Sequence, residues 1–225
     1  MSLDKYRQLY NSMNIRPDYD DDLTLVRRKI LNQKHLYTGV AAKFNIPWIF
    51  FAVAHWKEAS LRPEKQILNG QNWNQTTTIV PKGRGPYSNW EEAAIDGVLR
   101  KGLHKIKDWS LENTLNTLES WNGRGYERRG INTPYLWCGC QHYTSGGYPR
   151  DGVFSSTHVI KNVGCAVIIR HFHLLGIDTG IANLGTVMGS TPIVEPEVPP
   201  AKEVVKSKLP LPSWLKRFLR YIKVL

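Results

Sequence analysis

Residues 45–63 have the sequence NIPWIFFAVAHWKEASLRP, and this stretch decides the fold. Asn45 can cap a helix, and Pro47 falls in the first turn, where its missing N–H costs nothing. The residues that follow are apolar on every side, which predicts a helix buried all round. Pro63 disfavours the α region for the residue before it, so the helix is expected to end near Arg62.

Glu58 stands near the C-terminal end of this predicted helix. Burial disfavours the charged carboxylate and raises its pKa, and the negative end of the helix dipole acts in the same direction. A carboxyl that stays protonated near neutral pH can serve as a general acid. The alternative is a partly exposed glutamate that makes a salt bridge with Lys57 or Lys65.

The chain carries a large excess of positive charge. Its 225 residues include 30 Lys and Arg against 19 Asp and Glu, a net charge of +11. Such an excess predicts an acidic partner, which can be nucleic acid, an anionic membrane or an anionic cell-wall polymer. The sequence has no zinc-ligand spacing, helix-turn-helix pattern or Gly-rich phosphate loop, so we expect no nucleic-acid partner. The length allows one core and a tail.

The sequence predicts a protein made in the cytoplasm without a signal peptide. Its start lacks a basic segment followed by an apolar run, and no run of about 18 apolar residues predicts a membrane-spanning helix. Action outside the cytoplasm would then need release or delivery by another component. Cys138, Cys140 and Cys165 form no disulfide framework, and the first two fit no usual zinc pattern with His142. We expect buried, reduced thiols, no metal and no cofactor.

Hydrophobic spacing predicts a mainly helical chain. Besides the helix of the opening stretch, helices are expected over residues 4–13, 23–44, 88–109, 111–121 and 158–175. Ser88 and Glu91 can form a capping box, and Glu92 and Asp96 farther along the same helix are expected to be solvated.

The segment 68–86 is rich in Asn, Gln, Gly and Thr. Its β-branched run at 76–80, bounded by Asn, Gly and Pro, predicts one short strand of a small sheet or hairpin. A polar loop beside a buried acid suits a sugar-binding cleft. An ordinary surface loop is the alternative.

Three segments, in order, resemble the lysozyme-like superfamily, in particular its goose-type lysozyme and lytic transglycosylase branch. The first runs from the FNIP sequence at 44–47 to HWKEAS at 55–60, similar to that branch's apolar helix and catalytic glutamate motif. The second is the Thr-rich region, in the position of the family's small sheet. The third is WNGRGY at 121–126, similar to the family's AYNAGPG turn, and it is followed by Tyr135, where the family often has a cleft tyrosine. The resemblance covers about residues 23–175 and is strongest to bacteriophage endolysin-like muramidases.

The resemblance implies an α+β lysozyme-like fold, mainly α, with helical lobes around a cleft and one small sheet. It implies cleavage of the β-1,4 bond between N-acetylmuramic acid and N-acetylglucosamine in peptidoglycan. Glu58 would protonate the leaving glycosidic oxygen. Asn122 and Tyr126 would shape the cleft floor, and Tyr135 would hydrogen-bond near the acid or stabilise the charged transition state.

The sequence departs from the usual pair of catalytic carboxyls. Between Glu58 and Glu91 the one other acid is Glu64. One-acid chemistry fits a lytic transglycosylase, in which Glu58 donates a proton and then takes one from the sugar's own 6-hydroxyl. An inverting hydrolase stays open if Thr76 or Thr78 positions a water. Two other classes also stay open: a non-catalytic wall-binding or phage-derived particle component on the same fold, and a chitinase- or chitosanase-like hydrolase.

We expect a catalytic domain over 1–178, a linker over 179–212 that contains six prolines, and a basic amphipathic helix over 213–225. From residue 201 onward the chain has seven Lys and Arg and one Glu, a net charge of +6. An apolar face opposite a basic face predicts binding to an anionic membrane. Docking in a groove of a carrier-particle protein and packing back on the chain's own domain are the alternatives.

Overall fold

The computed structural model describes residues 1–185. This part of the chain is mainly helical and has one small antiparallel sheet, which confirms the mainly α prediction. The helices are α1 (Leu3–Asn11), α2 (Asp20–Asn32), α3 (Lys34–Phe44), α4 (Trp48–Ala59), α5 (Trp90–Arg100), α6 (Leu111–Asn122), α7 (Pro134–Trp137) and α8 (Cys165–Leu174), and the strands are β1 (Gly147–Arg150) and β2 (Val153–Ser155).

Helix α4 lies at the centre of the core, as its apolar sequence predicts. Every residue from Trp48 to His55 is buried, and the helix packs against α3, α6 and α8. Phe50 is fully buried and meets the rings of Trp109 and Trp121 edge to face, at centroid distances of 5.3 and 5.8 Å. Burying one such side chain contributes about 1.5–3 kcal/mol. The packing therefore holds the last turn of α4, and Glu58 with it, in a fixed place.

The start of α4 differs from the prediction. Asn45 ends helix α3 in the left-handed conformation, with φ of 53°, and its backbone N–H donates to Ala41 O. Pro47 is the N-cap of α4 rather than a residue of its first turn. Asn is one of the few residues other than Gly that adopt this conformation at a helix end. The prediction of an N-cap at Asn45 was wrong because the preceding helix ends immediately before α4.

The end of α4 also differs from the prediction, by three residues. The helix ends at Ala59, and Ser60 and Leu61 are left-handed, with φ of 53° and 58°. Leu61 is 2% exposed, so burial of this side chain accompanies the turn. The turn sends the following loop back across the end of α4, where Glu58 lies.

The helix predicted over 23–44 is two helices. It begins earlier, at Asp20, and breaks at Gln33, whose φ is −108° and ψ is 8°. The Gln33 side chain donates to Leu61 O at 2.9 Å, so the break is tied to the turn after α4. The break allows α3 to pack along α4.

The sheet is not where the sequence predicted it. Residues 76–80 form no strand, because their backbone is held in an irregular loop by Gln71 and Thr77: the Gln71 side chain accepts from Thr78 N and Ile79 N, and Thr77 Oγ1 accepts from Arg84 N. The antiparallel hairpin is formed by β1 and β2 instead. Its turn, Asp151-Gly152, is a strong hairpin signal that the sequence interpretation missed.

Other helix boundaries also differ from the prediction, and one charge is buried. Helix α1 ends at Asn11 rather than at residue 13. Helix α5 is shorter than predicted, with Asn89 rather than Ser88 as its N-cap, and α8 begins at Cys165 rather than at 158. Asp96 was expected to be solvated but is 6% exposed and pairs with Arg84. The prediction for α6 is confirmed.

The three cysteines are buried and free, as predicted. Residues 178–185 still contact the domain: Trp48 Nε1 donates to Asp178 O at 3.2 Å, and Arg7 donates to Asn183 O at 2.9 Å. No helix within residues 1–185 has the length and apolar character needed to cross a membrane. The linker from 186 onward and the helix predicted over 213–225 lie outside the described residues.

Candidate active site

Glu58 lies in the last turn of α4, and its side chain is half-buried. The phenol of Tyr135 donates a hydrogen bond to Glu58 Oε1 at 3.2 Å. The two residues are 77 positions apart in the sequence. The structure therefore brings together two of the six residues that the sequence placed in the site.

Helix α7 positions Tyr135. Thr133 caps this short helix and accepts a hydrogen bond from Tyr135 N at 3.2 Å, while Pro134 occupies the first helical position. The start of α8 lies against its other end, where Gly164 N donates to Cys138 O at 2.8 Å. A Cβ on Gly164 would lie 2.2 Å from Leu136 O, so only glycine permits this close approach. The tyrosine is thus fixed by backbone contacts on both sides.

Burial is the main influence on the Glu58 carboxyl and raises its pKa. The hydrogen bond from Tyr135, the positive charges of Lys101 and Lys57, and a hydrogen bond from Trp121 act in the opposite direction. The net result is a raised pKa. A protonated carboxyl that faces groups able to stabilise its anion can donate a proton and then hold the negative charge.

Glu58 forms no ion pair with a side chain in residues 1–185, so the salt bridge weighed as the alternative is not found there. Lys57 instead donates to Asn162 Oδ1 at 2.8 Å and to the backbone oxygen of the same residue. Its ammonium lies 5.4 Å from the centroid of the Tyr135 ring. The lysine therefore acts on Glu58 through its charge, without direct contact.

Trp121 and Lys101 complete the surroundings of the acid, and the sequence interpretation did not place either in the site. Trp121 is the penultimate residue of α6 and is 7% exposed. Lys101 follows α5; its ammonium lies 5.1 Å from the centroid of the Trp121 ring and donates to Trp121 O at 3.4 Å. The one available signal was the position of Trp121 at the start of the WNGRGY turn.

The loop after α4 approaches the acid through Gly70. This residue has φ of +68°, and a Cβ placed on it would lie 2.5 Å from the backbone oxygen of Glu58. Gly70 N donates to Gln66 O at 3.1 Å, which holds the loop in place. No side chain fits between this loop and the end of α4, which explains the glycine.

Thr76 and Thr78 lie on the same loop but form no hydrogen bond with Glu58 in the described part of the chain. Thr78 Oγ1 accepts from Gln71 Nε2 at 2.9 Å, so this hydroxyl helps to hold the loop. Thr76 is exposed.

Asn122 and Tyr126 lie at the end of α6 and in the turn that follows it. Asn122 is exposed beside Trp121. Tyr126 is 8% exposed and packs edge to face on Tyr148 of β1, with a centroid distance of 5.2 Å. Burial raises the pKa of Tyr126. This ring contact joins the turn after α6 to the hairpin.

His55 belongs to the same motif as Glu58 and is structural. It is fully buried between the Tyr37 hydroxyl, 3.0 Å from Nδ1, and Arg62 O, 2.9 Å from Nε2. Burial lowers its pKa to about 4, so the ring is neutral at physiological pH. His55 fastens the turn after α4 to the core.

Two other buried carboxyls have structural partners. Asp96 pairs with Arg84 and accepts from the Tyr87 hydroxyl at 2.8 Å. Glu119 accepts from the Tyr6 hydroxyl at 2.6 Å, between α6 and α1. Within residues 1–185, no group of three His, Cys, Asp or Glu side chains could hold a metal ion.

Comparison with known proteins found no match: no family model, curated protein or solved structure matches this sequence.

Proposed function

We propose that this chain is a peptidoglycan-degrading glycosidase that cleaves the β-1,4 bond between N-acetylmuramic acid and N-acetylglucosamine, with Glu58 as the general acid. The observation that carries the proposal is the Glu58 carboxyl at the end of a buried helix, with a raised pKa and with Tyr135 3.2 Å from Oε1. The lysozyme-like resemblance of the sequence supplies the substrate class.

In this mechanism Glu58 gives its proton to the glycosidic oxygen as the bond to the sugar's anomeric carbon breaks. The leaving sugar departs as a neutral alcohol, and the other sugar develops the positive charge of an oxocarbenium ion. The new Glu58 carboxylate is stabilised by Tyr135 and by the charges of Lys57 and Lys101. It then accepts a proton from the incoming nucleophile, which is either water or the sugar's own 6-hydroxyl.

The surroundings of Glu58 favour the intramolecular route of a lytic transglycosylase. Besides half-buried Glu58, the buried carboxyls of residues 1–185 are Asp96 and Glu119, and both are held by structural partners. A two-carboxylate mechanism needs a second free carboxyl about 5–9.5 Å from the acid. The 6-hydroxyl route needs Glu58 alone.

A comparison of three polymers tests the proposed substrate class. We expect the purified chain to clear suspensions of peptidoglycan and to leave chitin and chitosan intact. The net charge of +11 opposes binding to cationic chitosan and favours an anionic wall polymer. Cleavage of chitin or chitosan in preference to peptidoglycan would identify the rival hydrolase class, and binding to peptidoglycan without cleavage would identify a wall-binding module.

Replacing Tyr135 by Phe is expected to lower kcat about 10-fold and to move the alkaline limb of the pH–rate profile to higher pH. The hydrogen bond from Tyr135 lowers the pKa of Glu58, so its loss raises that pKa further. Activity needs the protonated acid and falls as pH rises through this pKa. Turnover measured over a range of pH, together with thermal unfolding, separates this effect from a loss of stability. An unshifted limb with activity lost in proportion to stability would make Tyr135 a packing residue only.

The segment 201–225 carries a net charge of +6 and lies outside the described residues. We propose that it brings the enzyme to an anionic membrane, because each basic residue near such a surface contributes about 1 kcal/mol. Full-length chain is expected to co-sediment with vesicles containing anionic lipid at low salt, and a chain ending at residue 200 is not. Equal sedimentation of both chains would reject the membrane role and favour docking on a carrier protein.

A further inference from the structure

A cavity of about 230 Å³ lies between the end of α5 and one face of α6. Its lining comprises Lys101, Leu103, Ile106, Asn116, Thr117, Ser120, Trp121 and Arg124. Sites that enclose a whole small molecule usually measure about 300–1,000 Å³. This cavity is therefore suited to a substituent of a larger ligand rather than to a complete sugar.

Trp121 and Lys101 connect the cavity to the acid. Both residues line the cavity, and both also act on the carboxyl of Glu58, whose pKa they lower against the effect of burial. The cavity thus shares two of its lining residues with the surroundings of the acid.

The cavity combines one available positive charge with polar and apolar walls. Arg124, the other cation of the lining, is paired with Glu127 at 3.0 Å. Lys101 has no acidic partner within residues 1–185, and its hydrogen bond to Trp121 O is long, at 3.4 Å. Three polar side chains, Asn116, Thr117 and Ser120, lie on the same lining. An ammonium with spare donors beside hydroxyl and amide groups is the chemistry that recognises a carboxylate.

We propose that this cavity binds a carboxylate on the lactyl-peptide arm of the muramic acid residue. This inference rests on the proposed function, since that arm is what distinguishes peptidoglycan from a neutral N-acetylglucosamine polymer. Lys101 would contact the carboxylate, the polar side chains of α6 would bind the amides of the arm, and the Trp121 indole would pack against its apolar part.

Calorimetry on the Glu58→Gln chain tests the site without cleavage. The probes are the disaccharide dipeptide N-acetylglucosaminyl-N-acetylmuramyl-L-alanyl-D-glutamate and the same compound with both carboxylates converted to primary amides. We expect the carboxylate form to bind about 10-fold more tightly, because the amide form cannot make the charged hydrogen bond to Lys101. Adding Lys101→Gln is expected to reduce the ratio of the two dissociation constants to about one.

Lys105→Gln is the matched control, because it removes the same charge from the neighbouring turn, outside the cavity lining. The carboxylate preference should survive this change. The inference would be overturned if the preference survives Lys101→Gln or is lost equally in the control. It would also be overturned if acetate at equal concentration abolishes the preference.

Cleavage assays beside the calorimetry distinguish failure of the cavity site from failure of the proposed function. If the unmodified chain cleaves peptidoglycan but the carboxylate probe is not preferred, the carboxylate site is rejected and the proposed glycosidase activity is supported. A Lys101-dependent preference in a chain that cleaves no peptidoglycan would support the carboxylate site and reject the enzyme.

Discussion

Replacing Glu58 by Gln is expected to lower peptidoglycan cleavage by about 10²–10⁴-fold, the usual contribution of general acid catalysis. Glutamine keeps the size of the side chain and can still accept the hydrogen bond from Tyr135. It has no acidic proton to give to the glycosidic oxygen. The release of soluble fragments from peptidoglycan measures the effect, and circular dichroism verifies the fold.

Glu64→Gln is the matched control for this substitution. Glu64 is exposed and lies just past the end of α4, so the change removes the same charge from nearby. Its activity should stay within about twofold of the unmodified chain, since exposed substitutions have small effects. A folded Glu58→Gln chain as active as this control would contradict the assignment of Glu58 as the general acid.

Replacing Gly70 by Ala is expected to reduce both stability and activity. The new Cβ would lie 2.5 Å from the backbone oxygen of Glu58, so the loop or the end of α4 must move. Overpacking of this kind costs about 1–3 kcal/mol. A displacement of about 1 Å at a catalytic group can cost about 100-fold in rate. Chemical denaturation and fragment release measure the two effects.

Gly83→Ala separates the steric clash from backbone strain. Gly83 has φ of +72°, close to the +68° of Gly70, but a Cβ there would have no atom within 4 Å. Alanine in the left-handed region lowers the free energy of unfolding by a similar amount at both positions, about 1–2 kcal/mol. If Gly70→Ala is no less stable and no less active than Gly83→Ala, the close approach to Glu58 has no functional importance.

Local patterns in the sequence were sufficient to predict the centre of the fold. Helix α4 is apolar all round, and such a segment has no alternative to burial on all sides. The partly buried position of Glu58 follows from its place at the end of that helix. The Tyr135 contact was expected only through the family resemblance, because nothing local relates residues 77 positions apart.

Elements that depend on competing local preferences were mispredicted. Asn45 suits both ends of a helix, and only the position of α3 decides that it is a C-cap. The β-branched residues at 76–80 favour a strand, but side-chain hydrogen bonds from Gln71 hold them in an irregular loop. The Asp151-Gly152 turn is a local hairpin signal and could have been found.

The remaining site residues are beyond prediction from a single sequence. Lys101, Trp121 and Gly70 reach Glu58 from α5, α6 and the loop after α4, so their roles depend on tertiary packing. Lysine and glycine at these positions carry no local sign of that proximity, and the one signal for Trp121 was its position at the start of the WNGRGY turn.

Mass spectrometry of digested peptidoglycan tests the central claim most directly. Sacculi are incubated with the unmodified chain and with Glu58→Gln, and the soluble products are compared. We expect disaccharide-peptides that end in muramic acid, with 1,6-anhydro ends from the one-acid route, and their near absence with Glu58→Gln. Intact sacculi, cleavage in the peptide bridges, or new ends at N-acetylglucosamine would contradict it.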